Sequence, residues 1–266
     1  MKYDLFISDY DGTLGGFDGI REQTVKAIKE YERRGGKFVV CTGRMLKNIR
    51  TICERYDIAD TVVSYQGARI NDRKSGKELF SDKIADDLAV EILKAIKDLP
   101  VKPAVLSDDK LYYSETSSYI EWYKKAKTVE LAKADDLAKE ISERKINVLK
   151  LNVICEDITP AEFIADFGER YKGRLIVNSG GPNLAEFVNP AASKGAAVRF
   201  LSKYYGIGYD RIITVGDSTN DIELVRGEWH GVAVGDAREE LKAIADEITV
   251  PYSSEPVGYL LEKYCL

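Results

Sequence analysis

Histidine and cysteine are scarce in this sequence, and their scarcity limits the chemistry that it can perform. The 266 residues include one histidine, His230, and four cysteines, Cys41, Cys53, Cys155 and Cys265. A site with several histidine ligands is therefore impossible, and a Ser-His-Asp triad would have to use that one side chain. Because no two cysteines form a CxxC pair, neither a zinc cluster nor a disulfide framework is indicated, and we expect a cytoplasmic protein.

Long apolar runs and an excess of basic residues are also absent. The longest unbroken apolar run covers four residues, 38–41, whereas a membrane-spanning helix needs about 20, so no membrane contact is expected. The first residues lack an apolar stretch followed by a small-residue cleavage site, which indicates a strand rather than a secretory signal. With 39 basic and 44 acidic residues the net charge is -5, which disfavours nucleic-acid binding.

Glycine patterns typical of nucleotide binding are missing as well. There is no GxxxxGK segment, and Gly206-Ile207-Gly208 lacks the third glycine of a dinucleotide fingerprint. ATP and NAD are therefore not indicated. What the sequence does contain is 44% hydrophobic residues, which is enough for one large or two modest packed cores.

Both ends of the chain alternate short apolar strands with amphipathic helices. Strands are predicted at 5–7, 37–42, 61–65, 211–215, 231–234 and 247–250, and helices at 21–34, 45–56, 193–205 and 220–226. Such a β-α-β series builds a parallel sheet, and ligands of parallel sheets bind at the carboxyl ends of the strands. We therefore predict an α/β fold with a Rossmann-like parallel-sheet core.

The middle of the chain follows a different pattern. Amphipathic helices at 86–98 and 159–171 are mixed there with strand-like runs at 148–155 and 175–178. We expect an inserted α+β domain at 76–183, with a core made of residues 1–75 and 184–266. The predicted hinges are the polar stretches 72–77 and 179–182, where glycine and proline interrupt any periodic pattern.

Two carboxylates follow the first predicted strand. Asp9 and Asp11 are separated by one residue, so both side chains project to the same side of an extended segment, and Gly12 permits a sharp turn. Such a pair can hold a hard divalent cation, or one carboxylate can attack while the other moves protons. The alternative is a solvated Asp-Gly turn.

Three further polar segments begin predicted helices. A hydroxyl and a glycine at Thr42 and Gly43 form an anion site or a simple helix cap. Lys194 lies in the first turn of a helix, where a cation opposes the helix dipole, so it indicates an anionic partner or a solvated lysine. The segment around Asp217 and Asp221 can bind a metal or cap the helix that follows.

Taken in chain order, four short segments resemble the motifs of the haloacid dehalogenase superfamily of phosphohydrolases. They are DYDGTL at 9–14, TGR at 42–44, SKG at 193–195 and GDSTND at 216–221. The run 187–249 resembles the Cof-type subfamily, and the insert resembles the α/β cap of that subfamily. Tyr65-Gln66-Gly67-Ala68 replaces the usual Asn-Gly-Ala, and Tyr10 replaces an aliphatic residue, which affects substrate contacts but not the nucleophile.

This resemblance implies a Mg²⁺-dependent phosphatase that acts through an aspartyl-phosphate. Asp9 would be the nucleophile, and Asp11 would protonate the leaving alcohol and then deprotonate the attacking water. The implied phosphate-binding residues are Thr42, Gly43, Lys194 and Asn220, and the implied metal residues are Asp9, Asp11 through its backbone carbonyl, Asp217 and, in support, Asp221. Mg²⁺ suits such a site because it takes few carboxylates, keeps water ligands and accepts a phosphate oxygen.

The expected substrates are small phosphorylated metabolites, with sugar phosphates favoured because proteins similar to the Cof type tend to accept them. A phosphomutase of the same fold and a non-catalytic sensor of a phosphorylated metabolite are the alternatives. The motifs do not separate phosphatase from mutase, whereas an intact nucleophile disfavours a sensor. Aromatic residues of the insert form a sugar-stacking surface or ordinary cap core: Tyr112, Tyr113, Tyr119, Trp122 and Tyr123.

Overall fold

A computed structural model describes residues 1–16, 18–144 and 146–266. The strands, in chain order, are β1 (Leu5–Ser8), β2 (Lys37–Cys41), β3 (Thr61–Ser64), β4 (Arg69–Asp72), β5 (Glu78–Ser81), β6 (Lys102–Ser107), β7 (Lys110–Tyr113), β8 (Glu130–Lys133), β9 (Lys150–Ile154), β10 (Ile176–Gly181), β11 (Leu184–Val188), β12 (Ile212–Gly216), β13 (His230–Ala233) and β14 (Glu247–Ile248). The α-helices are α1 (Glu22–Arg33), α2 (Leu46–Tyr56), α3 (Asp86–Ala95), α4 (Ser118–Ala126), α5 (Leu137–Arg144), α6 (Pro160–Arg170), α7 (Lys194–Tyr205), α8 (Ile222–Val225), α9 (Glu239–Lys242) and α10 (Pro256–Tyr264). Within the described residues, no helix is both long and apolar enough to cross a bilayer.

The two ends of the chain form one sheet, in the order β14-β13-β12-β1-β2-β3-β4-β5. The pairs from β14 to β3 are parallel, and β4 and β5 add an antiparallel edge. The predicted α/β core is therefore confirmed, and the predicted strands and helices recur with ends that differ by a few residues.

Alternate residues of the central strands enter two different apolar layers, because successive side chains of a strand point to opposite faces. On β1, Phe6 packs into one layer, whereas Leu5 and Ile7 pack into the other. On β2, Phe38 and Val39 divide in the same way. Both faces of the central strands are thus buried, which fits the almost continuous apolar run that the sequence shows at β2.

The insert forms a second sheet, in the order β10-β11-β9-β6-β7-β8. Its pairs are antiparallel except for β7 with β8. Residues of α3, α5 and α6 pack with those of the sheet in a separate apolar cluster, in which the rings of Phe163 and Phe167 stack at 4.3 Å and both meet Phe187 edge-on. The predicted α+β character of the insert is confirmed.

Sheet membership differs from the predicted domain division at two strands. β5 lies beyond residue 76 yet belongs to the first sheet, and β11 lies beyond residue 183 yet belongs to the second. The polar stretches 72–77 and 179–182 connect antiparallel neighbours, β4 with β5 and β10 with β11. Glycine, proline and serine mark a hairpin turn as readily as a linker, which is why the sequence suggested hinges there. The division into core and cap remains a proposal.

The two connections between the sheets run side by side. The chain leaves the first sheet after β5 and returns from β11 to α7 through a short 3₁₀ helix, Pro190–Ala192. Asn189 on the return path donates a hydrogen bond from Nδ2 to the carbonyl oxygen of Lys83 on the outward path, at 2.9 Å. Residue 83 and residue 189 are therefore neighbours in space, although the whole insert separates them along the chain.

Partial burial makes the charge of Glu32, on α1, dependent on pH near neutrality. Its pKa is raised from 4.5 to about 7, chiefly by burial, although the N–H of Ala59 donates a hydrogen bond to Oε1 at 3.0 Å. The folded state therefore binds this proton more tightly than the unfolded chain does. The stability contributed by the protonated form is fully present below pH 4.5, and it is lost as the pH rises through about 7.

We expect the substitution Glu32→Gln to raise the free energy of unfolding at alkaline pH, by an amount on the order of 1 kcal/mol once solvent screening is allowed for. The gain should vanish in acid, where Glu32 is protonated in both states, as urea unfolding at the two pH values would show. Glu22, an exposed residue of the same helix, provides the control, since its pKa is lowered by Lys26 and Glu22→Gln should give no gain at alkaline pH. A gain for Glu32→Gln that does not depend on pH would contradict burial as the cause.

Candidate active site

Three neighbouring parallel strands, β12, β1 and β2, end at the same edge of the first sheet, and each is followed by a polar residue. Asp9 follows β1, Thr42 follows β2 and Asp217 follows β12. The backbone extends the sheet by one residue here, because the N–H of Asp9 donates to the carbonyl of Val215 at 2.9 Å and that of Thr42 to Val63 at 3.0 Å. Residues that are far apart in the sequence therefore meet at the carboxyl edge, as the strand pattern predicts.

Lys194 joins two of the carboxylates. Its Nζ donates to Oδ1 of Asp9 and to Oδ1 of Asp221, at 2.6 Å each. Lys194 begins α7, where the side chain of Ser193 caps the helix by accepting a hydrogen bond from the N–H of Ala196. Only 1% of the Lys194 side chain is exposed, so these two carboxylates, rather than water, stabilise its positive charge.

Asp217 and Asp221 complete an acidic cluster with Asp9. Carboxylate oxygens of the three residues lie within 4.8 Å of one another. Oδ2 of Asp221 accepts hydrogen bonds from the backbone N–H groups of Asp217 and Ser218, at 3.1 and 3.2 Å, and Oδ1 of Asp217 accepts one from the hydroxyl of Thr13 at 3.0 Å. Backbone N–H groups therefore orient Asp221, and the hydroxyl of Thr13 orients Asp217.

A glycine is required where the first loop passes this cluster. Gly12 adopts a left-handed conformation, φ 78°, and a Cβ atom at this position would lie 2.6 Å from Oδ2 of Asp217. A side chain here would therefore be strained and would also displace the carboxylate. This contact explains the Asp-Gly sequence better than a solvated turn does.

The acidic cluster carries more negative charge than Lys194 balances. Burial raises the pKa of Asp9 well above its ordinary value of 3.8, an effect that Lys194 offsets only in part and that the neighbouring carboxylates reinforce. Burial and the nearby Asp221 raise the pKa of Asp217 to about 6. Three carboxylates against one ammonium group are a donor set that fits a hard divalent cation, because such an ion would replace the missing positive charge.

The side chain of Asp11 is not part of this cluster. Its two carboxylate oxygens accept hydrogen bonds from Nε and Nη2 of Arg44, at 2.8 and 2.6 Å, and 55% of the side chain is exposed. The guanidinium of Arg44 also lies 4.5 Å above the ring of Tyr10. The structure therefore brings Asp9, Asp217 and Asp221 together, whereas the carboxylate of Asp11 lies at the rim and could serve a metal only through its backbone.

A cavity of about 940 Å³ opens above the carboxylates and is covered by the second sheet. Among its lining residues are the predicted Asp9, Asp11, Thr42, Gly43, Asp217 and Asn220. From the second sheet and the helices of the insert, the lining includes Tyr119, Tyr123, Lys150, Ile164, Val177, Leu184 and Glu186. Of the aromatic residues singled out in the sequence, Tyr119 and Tyr123 thus reach the cavity, whereas Tyr113 is buried in the core and Trp122 is exposed.

Comparisons with known proteins identify the family of this chain. The model of a family described as haloacid dehalogenase-like hydrolase matches residues 6–261, and the chain belongs to this family. Phosphatase YwpJ of Bacillus subtilis is 25% identical, with 97% of this chain and 98% of that protein covered. The 5-amino-6-(5-phospho-D-ribitylamino)uracil phosphatase YitU of the same organism is 23% identical over 98% of this chain and 97% of its own.

The fold is shared with a solved structure of a haloacid dehalogenase-like hydrolase from B. subtilis. The TM-score is 0.86 at 24% identity, with 97% of this chain and 99% of that chain covered. The predicted family and the predicted class of enzyme, a hydrolase of the phosphatase type, are confirmed.

Several residues of the site could not be identified from the sequence. Arg44 stands inside the TGR segment, but nothing in the pattern shows that it binds Asp11. Lys150 and Glu186 lie within apolar strands and form a buried ion pair, with 3% and 5% of their side chains exposed. A charged residue inside a predicted apolar strand is the one signal that could have marked them, because unpaired charges are rarely buried.

Proposed function

We propose that this protein is a Mg²⁺-dependent phosphatase that hydrolyses small phosphate monoesters, sugar or polyol phosphates above all, through an aspartyl-phosphate on Asp9. The observation that carries the proposal is the buried carboxylate of Asp9, bonded to Lys194 at 2.6 Å on the floor of a large cavity. A carboxylate held in this way is a positioned nucleophile beside a fixed positive charge.

In the first half of the reaction, an oxygen of Asp9 attacks phosphorus while the bond to the leaving oxygen breaks. Asp11 gives that oxygen its proton. In the second half, Asp11 removes a proton from water, and the water oxygen attacks phosphorus and frees Asp9 and inorganic phosphate. The rim position of Asp11 supports this role, because the leaving group and the incoming water must both reach phosphorus from the cavity side.

Binding of the phosphoryl group is assigned to the residues around Asp9. Thr42, Gly43 and Asn220 line the cavity, and the ammonium of Lys194 lies directly beside the nucleophile. When bound, Mg²⁺ would be held by Asp9, Asp217 and the backbone carbonyl of Asp11, with Asp221 in support, and would neutralise charge on the phosphoryl oxygens.

The side chains that the second sheet and its helices contribute to the cavity favour a small substrate. Tyr119 and Tyr123 line the cavity with aromatic side chains, and Ile164, Val177 and Leu184 line it with apolar ones. A phosphorylated polyol chain is also present in the substrate that the name of YitU describes. The proposed partner is therefore a small phosphorylated metabolite, and the proposed location is the cytoplasm.

Phosphate release from an aryl phosphate and from a panel of sugar and polyol phosphates tests the proposal. We expect release with Mg²⁺, loss of release with EDTA, and recovery when Mg²⁺ is added back in excess. Transfer of phosphate between positions of one sugar, with a requirement for a bisphosphate activator, would instead indicate a mutase. Release that persists in EDTA would contradict the metal assignment.

A further inference from the structure

The ion pair between Lys150 and Glu186 lies in the roof of the cavity. Lys150 is on β9 and Glu186 is on β11, which are neighbours in the second sheet. Nζ of Lys150 lies 2.5 Å from Oε1 of Glu186. Removing two charges from water is costly, and such a pair is weak support for stability on its own. The role of the Lys150–Glu186 pair must therefore be inferred from the other contacts of the two residues.

Each partner also bonds to a loop of the first sheet. Nζ of Lys150 donates to the backbone carbonyl of Gly43 at 2.9 Å, and Nε2 of Gln66 donates to Oε2 of Glu186 at 2.7 Å. The backbone N–H of Gln66 donates to the carbonyl of Thr42 at 3.0 Å. Together with the ion pair, these bonds form a closed ring of contacts. The ring runs from Gly43 to Lys150, Glu186 and Gln66 and back to Thr42, so it crosses between the two sheets twice.

The ring fits tightly against that loop. A Cβ atom on Gly43 would lie 2.5 Å from Nε2 of Gln66, so a side chain at position 43 would have to displace the amide of Gln66. Gln66 itself has a left-handed backbone, φ 62°, which non-glycine residues adopt only when their surroundings require it. The bonds to Glu186 and to Thr42 provide those surroundings.

Fixing the carbonyl of Gly43 also orients the next N–H group, because the two belong to one planar peptide unit. That N–H, of Arg44, donates to Oγ1 of Thr42 at 3.2 Å. With Oγ1 accepting this bond, the hydroxyl proton of Thr42 is free to be donated elsewhere. A continuous path therefore leads from the ammonium of Lys150, through one peptide unit, to the hydroxyl of Thr42.

We propose that Lys150 is a positioning residue that sets the Thr42-Gly43 loop for binding of the phosphoryl group when the second sheet covers the site. The inference rests on the proposed function, in which Thr42 and Gly43 hold phosphoryl oxygens. It assigns to Lys150 a role in phosphate affinity that does not depend on the leaving group.

Calorimetric titration of the full chain with inorganic phosphate in the presence of Mg²⁺ tests this role, because phosphate has no leaving group. We expect Lys150→Met to weaken phosphate binding by about ten-fold, the effect of losing one charged hydrogen-bond donor. Lys102→Met is the matched control. Lys102 lies on β6 of the same sheet and pairs with Glu156 at 2.9 Å, and we expect its replacement to leave phosphate affinity unchanged.

Steady-state kinetics provides the second readout. We expect Lys150→Met to lower kcat/KM by the same factor for an aryl phosphate and for a polyol phosphate. Unchanged phosphate affinity with a loss of kcat/KM for one leaving group only would show that Lys150 contacts the substrate directly, and would overturn the inference. Unchanged affinity and unchanged kinetics would reduce the ring to a packing feature and overturn it as well.

The single variant leaves Glu186 buried without its partner, so a variant that avoids an unpaired charge is needed. Lys150→Met combined with Glu186→Gln removes both charges, and we expect it to show the same phosphate defect with a cooperative melting transition. Native affinity for phosphate in this double variant would count against the inference. A native protein that binds phosphate but releases none from esters would contradict the proposed function alone, and one that does not bind phosphate would contradict both.

Discussion

Replacing Asp9 with asparagine is expected to reduce phosphate release by at least about 1,000-fold, because an amide cannot attack phosphorus to form the acyl phosphate. The substitution keeps the size of the side chain. Lys194 keeps its bond to Asp221 at 2.6 Å, and one of the crowded carboxylates is removed, so the fold should not suffer. Phosphate release at saturating Mg²⁺ and thermal unfolding, measured on the same preparation, would separate chemistry from stability.

Asp4 provides a matched control at the opposite end of the same strand. It precedes β1 and pairs with Arg211 at 2.6 Å, far from the carboxyl edge where Asp9 lies. We expect Asp4→Asn to leave phosphate release unchanged. Equal release by the native protein and Asp9→Asn would reject the aspartyl-phosphate route. A native protein that releases no phosphate, and whose ligand binding survives Asp9→Asn, would fit the sensor alternative.

Replacing Lys194 with methionine is expected to destabilise the metal-free protein by about 3–5 kcal/mol, the usual cost of removing one partner from a buried ionic cluster. The substitution would leave Asp9 and Asp221 facing each other without the ammonium that now lies 2.6 Å from each. The attraction of these carboxylates outweighs burial, which alone would lower the pKa of Lys194, and raises it well above 10.5. Urea unfolding in EDTA measures the loss.

Mg²⁺ should restore part of that stability, because it supplies positive charge to the same carboxylates. The rise in melting temperature on adding Mg²⁺ should therefore be larger for Lys194→Met than for the native protein. Lys203→Met, an exposed position in the last turn of the same helix, should behave as the native protein does. A Lys194→Met protein with native stability in EDTA would show that the three carboxylates do not repel one another as their spacing indicates.

The parallel part of the core sheet was predictable because each of its elements carries a local signal. Apolar runs at β1 and β2 and helical periodicity at α1 and α2 depend on neighbouring residues only. The orders β1-β2-β3 and β12-β13-β14 follow from chain rules, since consecutive β-α-β units place parallel strands side by side. The placement of β5 and β11 had no such signal, because their sheet membership depends on pairing partners and not on their own sequences.

The acidic cluster was predictable for a related reason. Asp9 and Asp217 each follow a parallel strand, so the topology alone brings them to one edge. The bonds of Arg44 to Asp11 and of Lys150 to Gly43 depend on long side chains crossing between elements that are 33 and 107 residues apart. No local pattern encodes such contacts, and the sequence therefore identified the chemical groups but not the network that orients them.

The two connections between the sheets run side by side, and this limits how the insert can be exchanged for another module. Because Asn189 bonds to Lys83, the insert enters and leaves the core at a single point. Any other module whose two termini lie as close together could be attached there without disturbing the order of the core strands. The return path also reaches Lys194 after only a few residues beyond β11, so an exchanged module would be joined almost directly to the helix that presents the buried ammonium. The junction, more than the shape of the module, sets the limits on such an exchange.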